Sequence, residues 1–323
     1  MINNFAYVKA GSLAEAVKAL STKGAYLHAG GTDLLGCARN ELFAVEKVVS
    51  ISNLKQLKGI SAQPDGSVKI GALTTIADIA ASVPIKAKYA VLAQAAAAVA
   101  SPQLREQGTI GGNICQRPRC WYFRSDIQCL KKGGPRCYAY NGENQYHAIL
   151  GGGPCFFVHP SDTAVALVAL QAQLAITGPA GSKTVQMENF FTDPKKNVSK
   201  ENVLLPGEIV TEVRLPVVSA TTKSSYRKVA GRGSWDFALT SVAVMLQLEG
   251  GNVRTARIVL GGVAPYPYRV AEAEKLLAGK KLDGTVAAAV ANAAVAGAVP
   301  LRDNAYKVEM VKGAIEESLA ALA

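Results

Sequence analysis

The 323-residue chain contains no apolar run near the ~20 residues that a membrane-spanning helix needs, so membrane insertion is not expected. Aromatic residues make up only 7%, which leaves the core to Ala, Val, Leu and Ile. There are three histidines and no visible Ser-His-Asp or paired-carboxylate pattern, so no side chain is nominated as a catalytic acid, base or nucleophile. Six cysteines are too sparse for a disulfide scaffold. The start, "MINNFAYVKAGSLAEAV", shows neither a basic n-region nor a long apolar h-region. A cytoplasmic chain with reduced thiols is therefore expected. The dinucleotide fingerprint G-x-G-x-x-G and the P-loop are both missing. Also missing are a basic helix, a base-stacking aromatic motif and zinc-finger spacing, so the net charge of +11 does not point to nucleic acid. That charge is expected on a solvated surface, with some of it facing an acidic partner subunit or an anionic cofactor.

The length suits two domains or three small ones. "FAYVKA", "SLAEAVKAL" and "EKVVSIS" read as a small β-α-β unit over the first ~55 residues, with Ser12 and Glu15 as a capping box. "SVKIGALTTIADIAAS" reads as strand, turn and helix with Thr74 or Thr75 as N-cap, and "KYAVLAQAAAAVAS" as an Ala-rich helix broken at Pro102. "HPSDTAVALVALQAQLAITG" reads as turn, helix and strand with Ser161 as N-cap, and "PGEIVTEVRLP" as a strand. A boundary is expected at about residues 217–224. Beyond it, two β-rich runs joined by "EGGN" form a hairpin, and an Ala-rich helical tail follows.

Two glycine turns stand out. "AGGTDLL", Ala29 to Leu35, follows a short apolar run, and "GTIGGN", Gly108 to Asn113, follows the Ala-rich helix. Glycines there free backbone N–H groups to approach an anion. As a pair they could grip the two phosphates of one dinucleotide, with Thr32, Thr109 and Asn113 adding side-chain hydrogen bonds. Either turn alone reads equally well as an ordinary tight turn.

The cysteines carry a sharper signal. Cys120, Cys129, Cys137 and Cys155 are separated by eight, seven and seventeen residues within or beside a long loop, about residues 116–157. A structural zinc site would more often show a closely spaced pair. Four thiolates on a wrapped loop suit an iron–sulfur cluster, while zinc and unligated or disulfide-bonded thiols stay open as readings. Arg117, Arg119, Arg124, Lys131, Lys132 and Arg136 lie in the same stretch against Asp126, and their charge is expected to stabilise an anionic cluster. Cys115 follows the second glycine turn and Cys37 reads as a small buried residue. His28 and His159 read as turn contacts, and His147 as a surface residue or a ligand.

In this order and spacing, "AGGTDLL", "TIGGNICQ", "HPSD", "PGEI…LP" and "YRKV" resemble the FAD-binding subunit of the molybdenum hydroxylases, the family of xanthine dehydrogenase, carbon monoxide dehydrogenase and the aldehyde oxidoreductases. The resemblance runs over nearly the whole chain. The cysteine insert is similar to that of 4-hydroxybenzoyl-CoA reductase and of bacterial periplasmic aldehyde oxidoreductases, and looks closer to the latter. The implied fold is α+β: a two-part FAD-binding domain of the vanillyl-alcohol-oxidase type over residues 1–217, divided into 1–55 and 56–217. A small C-terminal domain of antiparallel sheet plus helices covers 222–323. The resemblance puts the FAD pyrophosphate along Tyr26, Leu27, His28, Ala29, Gly30, Gly31, Thr32, Asp33 and Leu34, and at Thr109, Gly111, Gly112 and Asn113. It puts Asp162 on the flavin side, with Val210 and Lys228 near the cofactor. It assigns Cys120, Cys129, Cys137 and Cys155 to a [4Fe-4S] cluster and leaves Cys115 out.

The implied function is electron transfer. A large partner would hold a molybdenum cofactor and a small partner two [2Fe-2S] clusters, with electrons leaving this chain to NAD, oxygen, a quinone or ferredoxin. Aldehyde oxidation is the leading reading. A xanthine or N-heterocycle dehydrogenase, a 4-hydroxybenzoyl-CoA reductase and a zinc-stapled nucleotide-binding scaffold are the alternatives. A partner's export signal would carry the chain to the periplasm.

Overall fold

The computed structural model describes residues 4–323 and is built on three sheets. The first is parallel, with Lys47–Ser50 in the middle and Ala6–Lys9 and Ala25–His28 on either side. Helix Leu13–Leu20 crosses between the outer strands and buries Ala16 and Val17 against Val49, Ile51 and Ile209. Ser12 caps it by accepting from Glu15 N, but the Glu15 carboxylate turns to Gly11 N instead of closing a reciprocal box.

The second sheet is antiparallel, in the order Ile60–Ala62, Val68–Gly71, Ile209–Leu215, Gln173–Gly178, Gly181–Gln186. Helices Ile76–Ala81, Val83–Lys88, Ala90–Ala97, Ile110–Ile114 and Asp162–Ala169 share its core. Thr75, not Thr74, caps Ile76–Ala81, in a reciprocal box with Asp78. The Ala-rich stretch is helical only over Ala90–Ala97, and Pro102 opens a new helix, Pro102–Gln107, instead of ending one. Its missing N–H would be unpaired in a first turn anyway. Helix Asp162–Ala169 is buried at every position, and an all-round apolar surface suits a helix enclosed by neighbours.

The third sheet is antiparallel in the order Tyr268–Arg269, Asn252–Gly261, Thr240–Glu249, Thr222–Val229. Helices Gly284–Ala294 and Tyr306–Ala320 cover one face and share its core through Val290, Val311 and Ile315. The fold is thus a two-part domain with a smaller sheet-and-helix domain behind it. Arg257 joins the last two units, reaching Glu188 at 2.7 Å and Val168 O at 3.3 Å.

Candidate cofactor site

The two glycine turns meet. A Cβ on Gly30 would lie 1.8 Å from Gln107 O, so the backbone at residue 30 touches the backbone that leads into the second turn. Gly31 has φ +72°, a conformation that favours glycine, and starts the chain into helix Leu34–Arg39. The second turn is itself helical: Thr109 caps the five-residue helix Ile110–Ile114, its hydroxyl accepting from Gly112 N at 3.2 Å. Gly111 sits on Ala72, where a Cβ would come within 3.0 Å.

Between the turns lies a cavity of about 270 Å³. Tyr26, Leu27, Ala29, Gly30, Gly31, Thr32, Asp33, Leu34, Thr109, Gly111, Gly112 and Val210 all line it. His28 does not; its ring lies beside Gly31. The cavity adjoins a second, of about 250 Å³, through shared Thr32, Asp33, Gly112 and Gln116, and Asn113 and Asp162 line that one. A third, of about 320 Å³, continues past Arg119, Asp162 and Phe237 to Cys120 and His147. A larger open groove of about 700 Å³, beside Gln171 and Gln247, holds none of these residues.

This run of space fits an extended dinucleotide. The N–H groups of Gly30, Gly31, Thr32, Asp33 and Leu34 find no backbone acceptor among the described residues. A concave row of such donors suits a pyrophosphate. Any side chain at Gly30 would push against the Gln107 backbone and part the two turns.

Several assigned side chains are engaged with protein instead. Asn113 Oδ1 accepts from Ser161 Oγ at 2.5 Å and Thr163 Oγ1 at 2.7 Å, which locks helix Asp162–Ala169 to the second turn. The buried Asp162 carboxylate takes Lys228 Nζ at 2.8 Å and Tyr226 Oη at 2.5 Å. Burial raises the Asp162 pKa, and the Lys228 ammonium opposes that rise. Lys228 lines none of the three cavities and also donates to Ala98 O. Tyr226 is a partner the sequence reading missed. Alternation along strand Thr222–Val229 puts it on the same face as Lys228, and that was the available signal. Trp235 and Phe237 were also missed. Their loop walls the second cavity, tied by Trp235 N to Ala100 O at 2.9 Å.

The insert is not a featureless loop. It contains helix Trp121–Arg124 and the single turn Leu130–Lys132. Cys129 and Cys155 are buried and Cys120 and Cys137 partly so; all are free thiols. Burial pushes Cys120 up to about 12, with the nearby Cys137 and Cys129 adding to the rise. The Cys155 thiol holds Cys137 down to about 6, and Cys137 in turn raises Cys155. Backbone N–H groups favour the thiolates: Tyr122 and Phe123 at Cys120, Ala139, Tyr140 and Phe156 at Cys137, Phe157 at Cys155. Among the described residues no three or more His, Cys, Asp or Glu side chains close on a single metal-ion position. His147 is buried with Nε2 3.2 Å from Cys120 Sγ, so the surface reading is wrong.

The basic side chains of the insert have a different use from the one expected. Arg119 and Arg124 pair with Asp33 at 2.9 and 2.8 Å, and Arg117 N donates to the same carboxylate at 2.7 Å. Arg117 and Lys131 pair with Glu201 at 2.9 and 2.8 Å. Lys132 donates to Ser125 O, and Arg136 lies over the Tyr138 ring. Attachment to the flavin-type domain therefore consumes most of this charge. Lys131 also acts on a cysteine of the insert, lowering the pKa of Cys155. Cys37 is buried as expected, but it belongs to this junction: it packs with Phe123 and Cys129 and accepts from Arg124 Nη1 at 3.1 Å.

The C-terminal domain holds the other end of the insert. Lys307, with no exposed surface, donates to the carbonyls of Tyr146, His147 and Gly262 at 2.8–3.2 Å. Asn304 Nδ2 reaches His147 O, and Tyr306 Oη reaches Gln145 O. Burial pushes the Lys307 pKa down to about 7, while three acceptors hold its charged form. Lys307→Met strands those acceptors, at about 1–3 kcal/mol per buried group. The expected result is a net loss of about 3 kcal/mol in denaturant unfolding, with new protease cleavage near residues 142–148. An unchanged midpoint and digestion pattern would refute the latch.

Comparison with known proteins places this geometry. The profile of the FAD binding domain in molybdopterin dehydrogenase matches residues 3–218, and that of the CO dehydrogenase flavoprotein C-terminal domain matches residues 224–321. The chain is 36% identical over 321 residues to the aldehyde oxidoreductase FAD-binding subunit PaoB of Escherichia coli, spanning 98% of this chain and 97% of PaoB. It is 29% identical to the glyceraldehyde dehydrogenase medium chain of Sulfolobus acidocaldarius, over 95% of this chain and 94% of that one. The solved structure of carbon monoxide dehydrogenase from Hydrogenophaga pseudoflava superposes with a TM-score of 0.80 at 28% identity, covering 99% and 98% of the two chains. The chain belongs to the FAD-binding medium subunits of the molybdenum hydroxylase family.

Proposed function

We propose that this chain is the flavin and iron–sulfur subunit of a heterotrimeric, molybdenum-containing aldehyde oxidoreductase. It carries electrons from the [2Fe-2S] clusters of a small partner to an external acceptor. The aldehyde is oxidised at a molybdenum cofactor on a large partner. The observation that carries this reading is the full-length similarity to a subunit named for aldehyde oxidation, at 36% identity over 98% of the chain. Bound FAD supplies the capacity to take up and release electrons; the protein supplies binding, orientation and electrostatics. Gly30, Gly31 and Thr32 would hold the pyrophosphate through their N–H groups. The Asp162–Lys228–Tyr226 group fixes charge at the cavity wall.

The [4Fe-4S] part of the reading rests on Cys120, Cys129, Cys137 and Cys155. Backbone N–H groups at Cys120, Cys137 and Cys155 suit an anionic cluster held by four cysteines of one insert. Their spacing lacks the closely spaced cysteine pair usual in structural zinc sites. Iron, sulfide and FAD analysis of the purified subunit tests the whole. A yellow-brown protein with FAD and a full cluster's iron is expected. Cys129→Ser should lose the iron and keep the FAD, because the flavin cradle lies in other segments. Zinc in place of iron, or unaltered iron in the variant, would remove the cluster assignment.

A further inference from the structure

We propose that His147 donates its Nε2–H to the sulfur of Cys120 and thereby sets the reduction potential of the iron–sulfur cluster. The inference rests on the cluster reading above. Nε2 lies 3.2 Å from Cys120 Sγ. Among the described residues no other side-chain N–H is hydrogen-bonded to any of the four sulfurs. A metal-bound cysteine is a thiolate with no proton to give, so the imidazole is the donor of the pair. Its other nitrogen, Nδ1, is buried without a partner. That arrangement leaves a bare lone pair inside and spends the one N–H on the sulfur.

The ring is held for this task. Trp121 and Tyr122 flank it at 5.6 and 6.0 Å between ring centres. Its backbone N donates to Asn144 O at 3.0 Å, and its carbonyl receives both Lys307 and Asn304. With the peptide anchored and two aromatic rings beside it, the imidazole is held against the sulfur. His147 and Cys120 also line the third cavity together with Asp162, so the pair stands in the wall between the cysteine nest and the cofactor space.

Reduction adds negative charge to the cluster, and a hydrogen bond to a ligand sulfur stabilises the more negative state. Removing the donor should lower the potential. The test is EPR-monitored redox titration of the full chain with His147→Leu and His147→Gln, alongside iron and FAD content. Both variants are expected to keep iron and FAD. In His147→Leu the reduction equilibrium should shift about tenfold against the reduced cluster, ~59 mV for one electron. His147→Gln keeps an N–H donor and should shift less. Midpoints equal to the parent's in both variants overturn the proposal. So does loss of iron from both, which would make the ring a ligand or a packing wedge. A parent chain without iron removes the cluster reading itself, and that is seen before any variant is made.

Discussion

Gly30→Ala is expected to weaken FAD binding by about a hundredfold, near 3 kcal/mol, with the chain still folded. The Cβ would sit 1.8 Å from Gln107 O and 2.7 Å from its carbonyl carbon. Both are backbone atoms, so no rotamer change can make room. The two turns must separate, and with them the rows of N–H groups that share one cavity. Overpacking of well-fitted sites typically costs about 1–3 kcal/mol, and here the distortion falls on the binding geometry. Neighbouring positions provide the contrast. A Cβ on Gly112 meets only Thr109 Oγ1, at 3.1 Å, and one on Gly36 meets nothing. Gly112→Ala, at a cavity-lining position where only Thr109 must give way, should weaken binding less than Gly30→Ala, and Gly36→Ala should cost nothing. Titration of the apoprotein with FAD, followed by flavin fluorescence, measures all three. A Gly30→Ala affinity within threefold of the parent would separate the turns from the cofactor.

That prediction draws on a part of the site that was legible early. Glycine turns, the Ser161 cap and the "EGGN" hairpin are local features, settled by residues a few positions apart. The glycine turns named Thr32 and Gly111, and the family resemblance added Tyr26 and Val210; all four line one cavity. What the sequence hid is long-range. Six basic residues beside four cysteines invite a purely local explanation, charge against charge within the insert. Their acids lie elsewhere: Asp33 is 84 to 91 residues away, and Glu201 lies beyond the whole insert. The grip of Lys307 on the carbonyls of residues 146 and 147 spans about 160 positions and involves no motif at either end. From the sequence, His147 reads as a surface residue or a ligand between the third and fourth cysteines of the loop; its neighbours in space are Trp121, Tyr122 and a sulfur. Pairings set by how three sheets stack cannot be read from periodicity. They can be read backwards, once the stack is known, from an excess of charge that lacks local partners.

Asp33→Ala follows from that excess and should release the insert. The carboxylate receives Arg119, Arg124 and the Arg117 N–H, and Arg124 also donates to Pro118 O and Arg117 O. Removing the acid leaves two guanidinium groups close together and largely enclosed, where only water can replace the lost partner. Breaking a buried pair in this way costs about 3–5 kcal/mol, and the partial exposure of Arg119 places the expected loss near the lower end. The damage should pass to the cysteines through one element: helix Trp121–Arg124 ends on Arg124 and begins beside Cys120. Cys120 and Cys129 should therefore lose their set positions first, while Cys137 and Cys155 stay held from the C-terminal side by Lys307 and Asn304 acting on residues 146–148. The expected outcome is an iron-depleted subunit, cleaved by protease between residues 116 and 136 and resistant beyond. Asp33→Asn keeps one acceptor oxygen but turns an amide toward its donors, and should fall between parent and Ala. Full iron content with unchanged protease resistance in Asp33→Ala would show that Glu201, not Asp33, anchors the N-terminal end of the insert. In that case Glu201→Ala, which frees Arg117 and Lys131, should inherit the phenotype.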